Sequence, residues 1–191
     1  SLDVQAREDL DAAVAETKHM TELISRLRDA YRLAPNGQFQ LESINAIIQD
    51  ILQLIATYLR HHDIVLVFEP SPDLPFVSCN RSQIRQVFLN LYLNAVEAMP
   101  SGGTMTISTS YQPIEEKVLI TVSDTGFGID PAIVPNIFDP FFTTKEKGTG
   151  LGLSIVYEII QQHQGRIEVA SQEQSNTTFK VWLPIEKYQS G

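Results

Sequence analysis

Two stretches near the middle of the chain, "TMTISTSY" at 104–111 and "KVLITVSD" at 117–124, read as strands with only "QPIEE" between them. They are adjacent in the chain, with no helix between them. A hairpin-like pair, "RIEVAS" and "TTFKVWLP", closes the chain. Shorter strands are expected in "DIVLVFE" and "FVSC". Helical stretches interrupt them irregularly. One runs from 42 to about Arg60, with Ile44, Ile47, Ile48, Ile51, Leu52 and Ile55 on one stripe. Another runs from Arg81 to about Met99, with Asn80 as its N-cap. A third runs from about Gly150 to His163 and ends at Gly165, and Asp130-Pro131 offers a start for a short further helix. Adjacent strand pairs mixed with helices predict an α+β sandwich, a mixed sheet against a helix layer, and not a doubly wound parallel sheet.

Residues 2–33 follow another rule. Leu10, Ala13, Thr17, Met20, Ile24, Leu27 and Tyr31 recur at 3-4 spacing, the a/d seam of a coiled coil or half of a four-helix bundle. One narrow-seamed helix has little to bury alone, so a partner helix or second chain is expected. "APNGQ" at 34–38 breaks it. The expected division is 1–36 as this helix and 37–191 as a globular domain.

Charge and composition narrow the function. A net charge of −9 argues against nucleic-acid or anionic-membrane binding. The lone Cys79 excludes an internal disulfide and a cysteine zinc site, and suits a reducing cytoplasm. No apolar run approaches the ~18 residues of a membrane span, and no signal peptide is visible. The chain begins at Ser1, which is expected of a piece of something longer.

Three groups of residues carry the chemistry. On the helix 81–99, Gln83, Gln86, Asn90, Asn94 and Glu97 share a face. Such a stripe suits solvent; it also suits Mg²⁺, which takes oxygen ligands and keeps waters or phosphate oxygens besides. In "KVLITVSDTGFGI", period two puts Asp124 at the end of the apolar row Val118, Ile120, Val122. A carboxylate there either caps the "TGFG" turn or accepts from a ligand N–H such as an adenine amine, with Gly126 and Gly128 leaving room for a flat ring. "IFDPFFTTKEKGTGLGLS" brings Phe138, Phe141 and Phe142, then Lys145 and Lys147, then a bare glycine run at a helix start. Helix N-termini and lysines both suit phosphate, and long glycine-rich loops often act as lids.

Taken in order, "NLYLNAVEA", "DTGFG", "FDPFFTTK" and "GTGLGLS" resemble the N, G1, F and G2 boxes of the GHKL ATP-binding superfamily, over about residues 42–185. They look most like the catalytic domain of two-component sensor histidine kinases, and "VFLNLYLNAVEAMPSGG" is similar to the nitrogen-regulation type. The resemblance implies a Bergerat-type fold, ATP and Mg²⁺ as ligands, and a response-regulator receiver domain as partner. Asn94 would ligand Mg²⁺ and Asn90 would support the phosphate side. Asp124 would accept from adenine, with Gly126 and Gly128 shaping the pocket. Lys145, Lys147, Gly148, Thr149, Gly150, Leu151 and Gly152 would line the triphosphate. Thr178 would help Asp124 hold adenine through water.

Two departures bear on the resemblance. Asn176 replaces the usual glycine before the threonine pair. No histidine is followed by the acid and proline of a phosphoacceptor box: His19 precedes Met-Thr-Glu, and His61 and His62 precede Asp-Ile. The 2–33 helix therefore resembles the second helix of a dimerisation hairpin, with the acceptor helix absent from the chain. The alternatives are a GHKL ATPase and a non-catalytic nucleotide-binding regulator. The ATPases of the superfamily use a Glu one turn before the metal Asn; here that place is Asn90, an amide that takes no proton.

Overall fold

The computed structural model describes residues 38–145, 149–171 and 175–185. The helix expected over 2–33, with His19, lies outside them, as do Lys147 and Gly148. Within them the order of elements is β1 (Gln40–Glu42), α1 (Ile44–His61), β2 (Ile64–Glu69), β3 (Val77–Cys79), α2 (Arg81–Ala98), β4 (Gly103–Gln112), β5 (Lys117–Asp124), α3 (Gly152–Gln162), β6 (Arg166–Ser171) and β7 (Thr177–Pro184).

Five strands form one mixed sheet in the order β2-β4-β5-β7-β6. β2 runs parallel to β4, and the other neighbours are antiparallel. The expected α+β sandwich with a mixed sheet is therefore what forms. β1 and β3 make a separate two-stranded ladder. β1 is a short strand that the helical reading from residue 42 overran. Ser43 ends it by capping α1, its hydroxyl accepting from the Ala46 N–H.

The core lies between the sheet and the helices. Along β5, Val118, Ile120, Val122 and Asp124 are buried and alternate with half-buried residues. Met105 and Ile107 of β4 and Phe179 and Val181 of β7 join them. α1 contributes Ile44, Ile47, Ile48, Ile51, Leu52, Ile55 and Leu59. Burying each such side chain stabilises the fold by about 1.5–3 kcal/mol before entropy is counted. α2 is buried around much of its circumference, Leu89, Asn90, Leu91 and Tyr92 all being buried. Its polar stripe is thus not simply a solvated face.

The short helix expected after Asp130-Pro131 is replaced by turns and a single 3₁₀ turn, Val134–Asn136. The Asp130 carboxylate accepts from the Ala132 N–H at 2.8 Å, closing a local turn that competes with helix. α3 begins at Gly152 rather than at Gly150, which has φ +66°, outside the helical region.

Candidate functional site

Asp124 ends β5 on the helix-facing side and is 4% exposed. Its carboxylate accepts from the Gly126 N–H at 2.9 Å and from the Thr177 N–H. Burial nonetheless dominates and holds the carboxyl above the usual aspartate range. A buried carboxylate with acceptor capacity to spare fits an N–H donor on a ligand. The turn that follows is packed against α2: the Phe127 N–H bonds Ala98 O at 3.1 Å, and a Cβ on Gly126 would lie 2.5 Å from that same oxygen. Glycine at 126 is required by that close approach, and at Gly128 by φ +74°.

Across the sheet, Asp124 pairs with Thr177, not Thr178. Alternation puts Thr177 on the Asp124 side, 3% exposed. Thr178 faces the other side, its hydroxyl 2.7 Å from that of Ser123. Thr178, expected beside Asp124, is thus on the opposite face of the strand; the threonine that shares the Asp124 face is Thr177, whose hydroxyl is 3.1 Å from that of Ser171. Counting two residues back from the buried Phe179 along β7 would have found it.

The amide stripe of α2 divides. Asn90 is buried, and a Cβ at Gly152 would stand 3.7 Å from its Oδ1, so the start of α3 lies against it. Asn94 is half-buried, and its Oδ1 accepts from Lys145 Nζ at 3.4 Å. Lys145 also pairs with the Glu97 carboxylate. Sequence reasoning placed Glu97 on the Asn94 face without giving it a role.

The glycine run is anchored to the aromatic segment. The Phe141 N–H bonds Gly150 O at 3.0 Å, and a Cβ on Gly150 would come 2.4 Å from the Phe141 carbonyl carbon. The Thr149 hydroxyl accepts from the Leu151 N–H at 3.4 Å. No side chain caps the N-terminus of α3, so its first N–H groups and dipole end suit an anion. Of the three phenylalanines, Phe138 tilts against Tyr157 at 5.6 Å, whereas Phe141 is largely exposed.

At the far ends of these helices, the imidazole of His163 is buried. Its Nε2 accepts from the Asn80 N–H at 3.1 Å, and Nδ1 lies 2.7 Å from Ile159 O. Nδ1 therefore carries the proton of a neutral ring, and burial holds its pKa below the ordinary histidine value. Cys79 is buried too, its thiol pushed up to about 12 by desolvation.

Among the described residues there is no cluster of three or more His, Cys, Asp or Glu side chains fit to hold a metal. A magnesium here would have to be shared with a phosphate ligand, and the Asn94 oxygen fits that arrangement.

The family model for histidine kinase-, DNA gyrase B- and HSP90-like ATPases matches residues 79–187. The sensor histidine kinase ZraS of Escherichia coli is 40% identical over 146 residues, which cover 76% of this chain and 31% of that protein. AtoS, a signal-transduction histidine kinase of the same organism, is 36% identical over 94% of this chain and 29% of its own. The chain thus spans about a third of the length of these relatives. The solved catalytic domain of histidine kinase ThkA superposes with a TM-score of 0.70 at 33% identity, covering 77% of this chain and 95% of that one. Full-length ShkA, solved with AMPPNP, shares the fold at 24% identity and a TM-score of 0.71, over 96% of this chain and 40% of that one. The chain belongs to the histidine kinase-, DNA gyrase B- and HSP90-like ATPase family, with the catalytic domains of sensor histidine kinases.

Proposed function

We propose that this chain binds Mg·ATP and delivers the γ-phosphoryl group to a histidine on a dimerisation helix outside this sequence, for onward transfer to an aspartate of a response-regulator receiver domain. The observation that carries the reading is the buried Asp124 carboxylate, set at the end of an apolar strand beside two glycines. Asp124 accepts from the adenine amine, with Thr177 beside it. The uncapped start of α3, the 149–152 run and Lys145 hold the triphosphate, and Lys147 and Gly148 join them. Asn94 ligates magnesium, which neutralises phosphate charge when bound; Asn90 supports the phosphate side of the pocket. In the transfer, the bond between the γ-phosphorus and its bridging oxygen breaks, a phosphorus–nitrogen bond forms on the acceptor imidazole, and ADP leaves. Positioning and charge neutralisation are the protein's contribution.

Two related structures support the partners: ShkA is solved with AMPPNP, and ThkA with the response regulator TrrA. Residues 1–36 would form the second helix of the dimerisation hairpin, and residues 37–191 the catalytic domain. No helix among the described residues is long and apolar enough to cross a membrane. The amide of Asn90 disfavours the hydrolytic alternative, since it cannot take a proton from water.

Incubation with Mg²⁺ and γ-labelled ATP tests the reading. The label should stay on ATP with this chain alone, and move to protein when a helix bearing an acceptor histidine is supplied. Acid-labile label on the chain itself would place the acceptor within it. Rapid release of free phosphate would make it an ATPase.

A further inference from the structure

Lys145 occupies an unexpected place. Its backbone is fixed by Thr143, whose hydroxyl accepts from the Lys145 N–H at 3.1 Å. Its ammonium bridges Asn94 Oδ1, at 3.4 Å, and the Glu97 carboxylate. Asn94 and Glu97 are three residues apart on α2 and so lie on one face. The lysine thus sits on the oxygen proposed above for magnesium. An ammonium is a compact charge with three donors, well suited to span two oxygens. The pair is solvent-exposed, so it is weak enough to open and close with each binding event. The Tyr58 phenol of α1 is raised by burial first, and by the charge of Glu97 second.

These contacts give Glu97 a task. A metal-free triphosphate approaching Asn94 meets a lysine already engaged by the Glu97 carboxylate, and brings no cation to take its place. A magnesium-loaded one brings its own cation to the same oxygens and releases the lysine toward phosphate. We propose that Glu97 is a specificity-determining residue of the nucleotide site, holding Lys145 across Asn94 so that the magnesium-loaded triphosphate is selected over the bare one. The inference rests on the nucleotide reading of the site.

The test is calorimetric binding of ATP to the chain, once in saturating Mg²⁺ and once in chelator. Freeing the Lys145 ammonium to meet the polyanion should tighten metal-free binding of Glu97→Gln by roughly 3- to 10-fold. Binding of Mg·ATP should stay within about 2-fold of wild type, because the cation already frees the lysine in the wild-type site. In the Lys145→Met background the same Glu97→Gln change should gain less than about 2-fold, since no lysine remains to be released. Wild-type metal selectivity in Glu97→Gln, alongside its collapse in Asn94→Ala, would overturn this inference and leave the nucleotide reading standing. A full gain persisting without Lys145 would mean direct repulsion by Glu97, and would overturn the latch. Failure of the wild-type chain to bind ATP at all would overturn both.

Discussion

Asp124 stands on a strand flanked by β4 and β7, with two backbone N–H groups on its carboxylate. Lys145 stands on a loop, held by the exposed ends of Asn94 and Glu97. The first position is set by a sheet register that cannot change without turning every neighbouring side chain over. The second is set by side-chain contacts that water and salt weaken. A base can be recognised by a fixed acceptor, because its amine arrives in one geometry. A phosphoryl group that must leave is better served by charges that exchange partners.

The sharpest way to break this contrast is Asp124→Asn. Replacing the acceptor of a charge-assisted bond costs about 1.5–3 kcal/mol, so ATP affinity should fall roughly 10- to 150-fold by titration calorimetry. Stability should move the other way. Burial raises the folded carboxyl above its unfolded value, so the ionised group weighs against the folded state near neutral pH. The asparagine variant should therefore melt above wild type at pH 7. That advantage should shrink as pH falls through the raised value, where wild-type Asp124 takes up its proton. A variant that binds ATP normally would remove Asp124 from the pocket.

Gly126→Ala probes the rigid end by packing alone. The new Cβ would press on Ala98 O at 2.5 Å, and relieving such overpacking costs about 1–3 kcal/mol. A fall in melting temperature with weakened ATP binding is expected. An unchanged melt would show that the turn yields, and the contrast in rigidity would fail. The smallest effect is that of acid on His163. Its folded pKa lies below the unfolded value of about 6.5. The stability it contributes is present above that value and lost as pH falls toward the folded one. His163→Gln should flatten that decline, read from denaturant midpoints between pH 7 and pH 5.

Most of the rigid end was legible beforehand. Adjacent strand pairs interrupted by helices pointed to a mixed sheet against a helix layer, and an acid closing an apolar row marked Asp124. The neighbouring threonine was misplaced because "TTF" offers two of the same type, and only the alternation of the strand separates Thr177 from Thr178. Strand β1 escaped because three residues carry too little periodicity against the isoleucine stripe that follows. The burial of Asn90 escaped because a helical wheel shows which residues share a face, not what covers it. The Lys145–Glu97 contact joins residues 48 positions apart in the chain, and no local pattern announces such a pair.

The bond between His163 and Asn80 joins the end of α3 to the start of α2. Some ten residues further along α2, about 15 Å at helical rise, Asn90 meets the first residue of α3. The two helices are thus tied at one end by a buried hydrogen bond and meet again at the other. The imidazole joins helix ends that lie 83 positions apart in the chain, and so sets the spacing from which both helices run.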